Sequence, residues 1–169
     1  MKKSLFFLLF LSVLSSCNDK STAPDVSGIS VSIPVIRFDQ DFFRIDTNDL
    51  SGGLRQLQQK HPGFYIDFMQ NILGVSGADT NQQTLTITRE FIRGYAPVQQ
   101  VLDKKFSSTD KFQKELEQAF RYVKHYFPQY KTSNAIFFTG PFDAPGVANT
   151  NAGFAFGLQQ YAGKDFAEY

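Results

Sequence analysis

A chain of 169 residues with 17 lysines and arginines against 16 aspartates and glutamates carries a net charge of +1. That balance excludes a general nucleic-acid binder, which presents a basic face. With 42 % hydrophobic residues, 19 phenylalanines, seven tyrosines, no tryptophan and a single cysteine, the chain has the material for one aromatic core held by packing, without an internal disulfide.

The first segment is a leader. Lys2 and Lys3 precede an apolar run over residues 5–13 broken only by Ser12. A helix of that length spans about 14 Å, well short of the ~30 Å hydrocarbon core, so it reads as a signal-peptide h-region and not as a membrane span. Leu14-Ser15-Ser16-Cys17 then follows the lipobox pattern, with small residues before the cysteine. The expectation is a signal peptide over residues 1–16 and lipid attachment at Cys17, the only cysteine. A diacylglyceryl cysteine carries at least two acyl chains of the palmitate class, enough for stable anchoring where one chain is marginal. Removing residues 1–16 takes away Lys2 and Lys3 and no acid, leaving the mature chain at −1.

Residues 18–28 are polar and read as a flexible tether of about 18 Å mean reach, so residues 17–28 form the lipidated cysteine and its linker. Residues 29–169 read as a single α+β domain, predominantly helical, with an N-terminal edge strand and a C-terminal β-hairpin. Residues 29–38 alternate, with Ile29, Val31, Ile33 and Val35 on one side and Ser30, Ser32 and Pro34 on the other. Pro34 cannot donate to a ladder, which places the strand at a sheet edge. The acids Asp39, Asp41, Asp46 and Asp49 fail the EF-hand spacing, because Phe43 and Arg44 stand where a ligand and a glycine belong. They read as turn formers and caps, with Asp46 or Asn48 capping the next helix.

Leu50, Leu54 and Leu57 share a helical face, though Gly52 and Gly53 weaken it. After His61-Pro62-Gly63, residues Phe64, Phe68 and Ile72 predict a second amphipathic helix. Residues 80–95 mix strand-like alternation with a helical stripe through Leu85, Thr88, Phe91, Ile92 and Tyr95, and their length favours helix. Pro97 is expected to open a further short helix. Residues 107–127 carry a stripe of Phe112, Leu116, Ala119, Phe120, Val123 and Phe127, a capping box between Ser107 and Asp110, and a Glu117–Arg121 pair. Residues 135–139 and 153–158 predict two strands of a hairpin around a long loop over residues 140–151. The chain stops on Tyr161, Phe166 and Tyr169 with no polar fade-out, which suggests a fragment of a longer protein.

Catalytic chemistry is not apparent. His61 and His125 are the only histidines, and neither lies in H-x-x-x-H or H-E-x-x-H spacing. They read as surface or capping residues. No G-x-S-x-G elbow or P-loop occurs, and Glu115 and Glu117 do not face each other on a helix. The expectation is no catalytic residue, no metal site and no cofactor.

Five phrases, in order after the lipobox, resemble one family. They are residues 36–43 (Ile36-Arg37-Phe38-Asp39-Gln40-Asp41-Phe42-Phe43), residues 54–65, Asn71-Ile72-Leu73-Gly74, Tyr126-Phe127-Pro128-Gln129-Tyr130 and residues 158–166. Together they resemble the N-terminal region of the gliding-motility lipoprotein GldB family of Bacteroidetes. The resemblance implies a membrane-anchored lipoprotein of the cell envelope, on the non-cytoplasmic side, that supports surface gliding and associated protein secretion through envelope protein partners. Family members are usually much longer. Their likeness to zinc peptidases leaves an alternative: the N-terminal half of a lipid-anchored zinc-dependent hydrolase whose metal site lies beyond residue 169.

Overall fold

The computed structural model describes residues 23–164 and Phe166. Residues 1–22, on which the expected signal peptide, Cys17 and the first part of the expected tether fall, lie outside the described residues. The elements are β1 (Val35–Arg37), α1 (Phe38–Phe43), α2 (Leu50–Lys60), α3 (Pro62–Asp67) running into a π-helical turn (Phe68–Ile72), α4 (Gln82–Lys105), α5 (Asp110–Tyr126), β2 (Asn134–Phe138), β3 (Val147–Thr150), β4 (Gly153–Gly157) and a 3₁₀ turn (Leu158–Tyr161). This is an α+β fold: helices built around one four-stranded sheet of order β1-β2-β4-β3.

Both faces of the sheet are covered, which explains why β2 reads as an unbroken apolar run instead of an alternating one. Ile136, Phe138 and Ala155 face a large cluster with Phe38, Phe42, Leu50, Leu54, Phe64, Tyr65, Phe68 and Met69. Ala135 and Phe137 belong to clusters with Ile33, Phe120, Val98, Leu102 and Leu158, with Phe112, Phe154 and Phe156 half-buried against them. The phenylalanines interlock by edges: Phe38 meets Phe64 at 4.9 Å and 90°, and Phe112 meets Phe156 at 5.0 Å and 81°. Such geometry aligns positive ring edges with negative faces.

The N-terminal edge strand is present, at the edge, and shorter than its alternation suggested. Residues 29–34 keep the expected sidedness, with Ile33 buried and Ser30, Ser32 and Pro34 exposed, yet only Val35–Arg37 joins the ladder, opposite Ala135–Phe137. The amide of Ile33 donates instead to Glu117 Oε1 at 3.1 Å, so a side chain from α5 replaces a neighbouring strand. Within the span read as linker, Val26 is buried and its carbonyl accepts from Ile29 N.

A hairpin does close the C-terminal region, but with different arms. Residues 135–139 and 153–158 lie side by side in parallel, Ile136 opposite Ala155. The antiparallel partner of β4 is β3, Ala148 opposite Ala155. The chain ascends β2, descends β3 on the outside, and ascends again in β4 between them. Val-Ala-Asn-Thr is too short and polar to announce a strand. Its turn is held by Thr150 Oγ1, which donates to Gly153 O and accepts from the amides of Ala152 and Gly153. Gly153 sits at φ +143°, where a Cβ would strike the backbone carbonyl of Asn134.

Four local expectations need correction. Asp49, not Asp46 or Asn48, caps α2, accepting from Gly52 N at 3.2 Å; Asp46 instead turns the preceding loop through Asn48. A Cβ at residue 52 would collide with that carboxylate, so this glycine serves the cap. Pro97 lies inside the continuous helix α4. Buried Phe91 and Ile92 before it and Val98 and Leu102 after it tie both halves to the core, and this packing overrides the lost hydrogen bond. The capping box before α5 does not form: Ser108, not Ser107, accepts from Asp110 N. Glu117 is engaged by Ile33 and Gln113, and Arg121 pairs with Gln118.

Candidate functional site

Three polar features interrupt this apolar core. The first sits where β1 and β2 end. Asp39, at the start of α1, is buried, and Arg37 Nε and Nη2 donate to its two oxygens at 2.9 and 2.7 Å. Gln99 from α4 donates to the same carboxylate at 3.1 Å and accepts from the Thr139 hydroxyl at 2.7 Å. Arg37 also donates to Phe106 O at 2.8 Å and reaches Asp103 at 3.4 Å. Burial alone would disfavour the guanidinium charge; the bond and charge of Asp39, with Asp103, outweigh it and raise the Arg37 pKa. Arg37, Asp39 and Gln99 are committed to one another, so this network locks β1, α4 and the end of β2 together. Asp39 read from sequence as a turn former; only the meeting of α4 with β1 reveals its role.

A second feature, a clamp centred on Asp41, joins α1 to the α2–α3 junction. Asp41 Oδ2 accepts from Lys60 Nζ at 2.7 Å and meets His61 Nε2 at 2.8 Å. His61 is the cap residue between α2 and α3, as one half of its reading expected, and not a surface histidine: its side chain is only 8 % exposed and its ring meets Phe38 edge-on at 5.3 Å. Burial opposes ionisation of Asp41, and the bonds from Lys60 and His61 overcome it, holding the carboxyl below its ordinary value. Asp41 and His61 stand 20 residues apart in sequence, beyond any local spacing rule. His125 is exposed, as expected. Among the described residues no group of three or more His, Cys, Asp or Glu is placed to hold a metal ion.

The third feature is an open cleft of about 420 Å³ between the π-helical turn and β3. Phe64, Ile72, Phe138 and Ala155 form its floor, and Asp67, Asn71, Asn149 and Asn151 its rim. Leu73 N bonds Phe68 O across the wider turn. An apolar floor with amide and carboxylate groups above it suits a polypeptide segment. Beside it β3 is the outer strand of the sheet, unpaired on its far side among the described residues. Gly157 N donates to Gly146 O, so the antiparallel alternation points the amides of Val147 and Asn149 outward. Sequence reasoning left residues 140–151 as a loop and did not see this edge.

The sequence profile of one family, described as gliding motility protein GldB, matches residues 19–169. The chain belongs to the GldB family. No curated protein and no solved structure matches it. The GldB match covers every element described above, so network, clamp and cleft all lie within the family region. No helix among the described residues is long and apolar enough to cross a membrane. Cys17, the residue singled out for lipid attachment, lies outside both the GldB match and the described residues.

Proposed function

We propose that this gliding-motility protein is an envelope lipoprotein, processed after residue 16, held to a membrane through lipid on Cys17, and acting in gliding and associated secretion by binding partner proteins. Family membership supports the gliding role, and the lipobox supports the anchor. The observation that carries partner binding is the free edge of β3 beside the cleft. An extended segment of a partner adds there as a further strand, its backbone bonding Val147 and Asn149 and a side chain entering the cleft. No reacting group is needed for this role.

The test uses gliding cells in which the wild-type gene is replaced. Asn149→Pro removes an outward amide and leaves the β4 ladder intact, as edge strands tolerate. The expected result is normal abundance with reduced spreading, and loss of a cross-link formed by a photoreactive residue at position 147. Normal spreading with no cross-link in the wild type refutes the edge as a docking site. Separately, Cys17→Ala is expected to release the protein from membranes; retention of an unlipidated chain removes the anchor.

A further inference from the structure

The direction of the parallel strands brings two distant segments to one end of the molecule. Val35 lies opposite Ala135, and Ala135 N donates to Pro34 O. Residues 29–34 and residues 127–133 therefore approach the sheet from the same side. Val31 and Ile33 pack with Leu116, Phe120 and Val123 of α5, so the N-terminal segment lies against the helix whose last turn opens onto this end.

That turn is aromatic and uncovered. Tyr126 is 63 % exposed, Phe127 66 % and Tyr130 39 %. Tyr130 rests its ring on Phe120 at 5.8 Å, which ties it to the domain, and Tyr126 meets the exposed ring of its neighbour His125 edge-on at 4.9 Å. Residues 121–134 contain Arg121, Lys124, His125 and Lys131 and no acid. Asp25, the only acid among residues 23–36, is engaged by Ser27 N. The stretch thus sets exposed aromatic rings beside Lys124, His125 and Lys131 in the chain, with no acid of its own.

We infer that this turn is a membrane-docking surface whose occupant is the lipid bilayer, an inference that rests on the Cys17 anchor proposed above. Six peptide steps separate Cys17 from Ala23, a reach of at most about 22 Å. Val31 and Ile33 of the segment that follows this tether pack on α5, the helix that ends in the aromatic turn. Tyr and Phe rings settle at headgroup level, where an apolar body and a wet rim are both satisfied. Lys124 and Lys131 meet anionic phosphates at the same depth. The tether keeps the surface at high local concentration, so weak contacts suffice to hold the domain upright.

The experiment places the lipidated full chain in protein-free vesicles of phosphatidylethanolamine and phosphatidylglycerol. Lipid occupies the Cys17 thiol, so an added cysteine takes a polarity-sensitive fluorophore selectively. Phe127→Cys reports the aromatic turn; Val147→Cys, exposed at the opposite end of the sheet, is the control. The expected result is a blue shift at position 127 and quenching by brominated lipids several-fold stronger there than at 147. Equal quenching overturns the inference. Protection of position 127 in cells but not in vesicles also overturns it, assigning the patch to a protein. The mass of the Cys17 peptide is read in the same preparation. A chain without lipid that still shows selective quenching keeps the docking surface and removes the anchor; a lipidated chain without it does the reverse.

Discussion

Asp39 offers the sharpest test of how the sheet is locked to the helices. Its carboxylate is almost wholly shielded and receives three bonds, two from Arg37 and one from Gln99. Removing one partner of a buried pair strands the other, at a cost of about 3–5 kcal/mol. The Arg37 side chain is 18 % exposed and keeps its bond to Phe106 O, so Asp39→Ala belongs near the lower limit, at about 3 kcal/mol. With a urea m-value of about 2 kcal/mol per molar for a domain of this size, the midpoint should fall by about 1.5 M. Asp39→Asn keeps the shape and loses the charge, and its fall should be smaller. The double variant Arg37→Met, Asp39→Leu removes both charges and should recover most of the loss, because no buried ion is left unpaired. Urea unfolding followed by circular dichroism, on the chain with Cys17→Ser to keep it in solution, measures all three. A shift below about 0.3 M for Asp39→Ala would refute the lock. A double variant no better than the single one would show that the deficit comes from packing and not from a stranded charge.

Two further outcomes are expected. Gly153→Ala forces a side chain onto φ +143° and into the Asn134 carbonyl, so the β3–β4 turn must shift; thermal unfolding should show a loss of more than about 1 kcal/mol, in the range of strained backbone. The Asp41 carboxyl has a lowered folded-state pKa, so its contribution is present above the unfolded value near 3.8 and disappears as pH falls through the folded one. Wild type should therefore exceed Asp41→Asn in stability at pH 6 to 7, and the gap should close as acid unfolding passes below about pH 4; a gap constant down to pH 2 would exclude the clamp.

Periodicity located what packs locally and missed what meets at a distance. Leu50, Leu54 and Leu57 announce α2 because one face of one helix does the burying, and all three are buried. The alternation from Ile29 to Val35 reports the true inner and outer sides, since burial sets it, but says nothing about which groups accept the backbone bonds; Glu117 does so at Ile33. Residues 135–139 and 153–158 were legible as strands from their apolar runs. Their parallel pairing was not, because it depends on β3, whose four residues include only Val147 and Ala148 as apolar side chains. Pro97 misleads for a related reason: its local cost is fixed, while the gain from burying Phe91, Ile92, Val98 and Leu102 along one helix is visible only in the fold. The polar features are the least legible. Asp39 and Asp41 stand two apart in the same acidic stretch, yet one is closed in by Arg37 and Gln99 and the other by Lys60 and His61.

The sheet gives the molecule two chemically different ends. At the N-terminal ends of β1 and β2 stand the N-terminal segment proposed to carry lipid and the exposed rings of Tyr126, Phe127 and Tyr130, in a stretch with Lys124, His125 and Lys131 and no acid. At their C-terminal ends stand the Arg37–Asp39–Gln99–Thr139 network and the outer strand residue Val147. A bilayer at the first end leaves the start of β3 directed away from the membrane, because β3 runs antiparallel to β4 and places Val147 opposite Phe156 near the end of that strand. An incoming segment pairing with β3 then approaches from the side remote from lipid, without displacing the docked surface. The Asp39 network matters to this arrangement because it fixes β1, which follows the N-terminal segment, to β2, which supports β4 and the edge. Loosening that network should disturb the β3 edge before it disturbs the docked surface. An Asp39→Asn chain would then retain vesicle docking at position 127 while losing cross-linking at position 147.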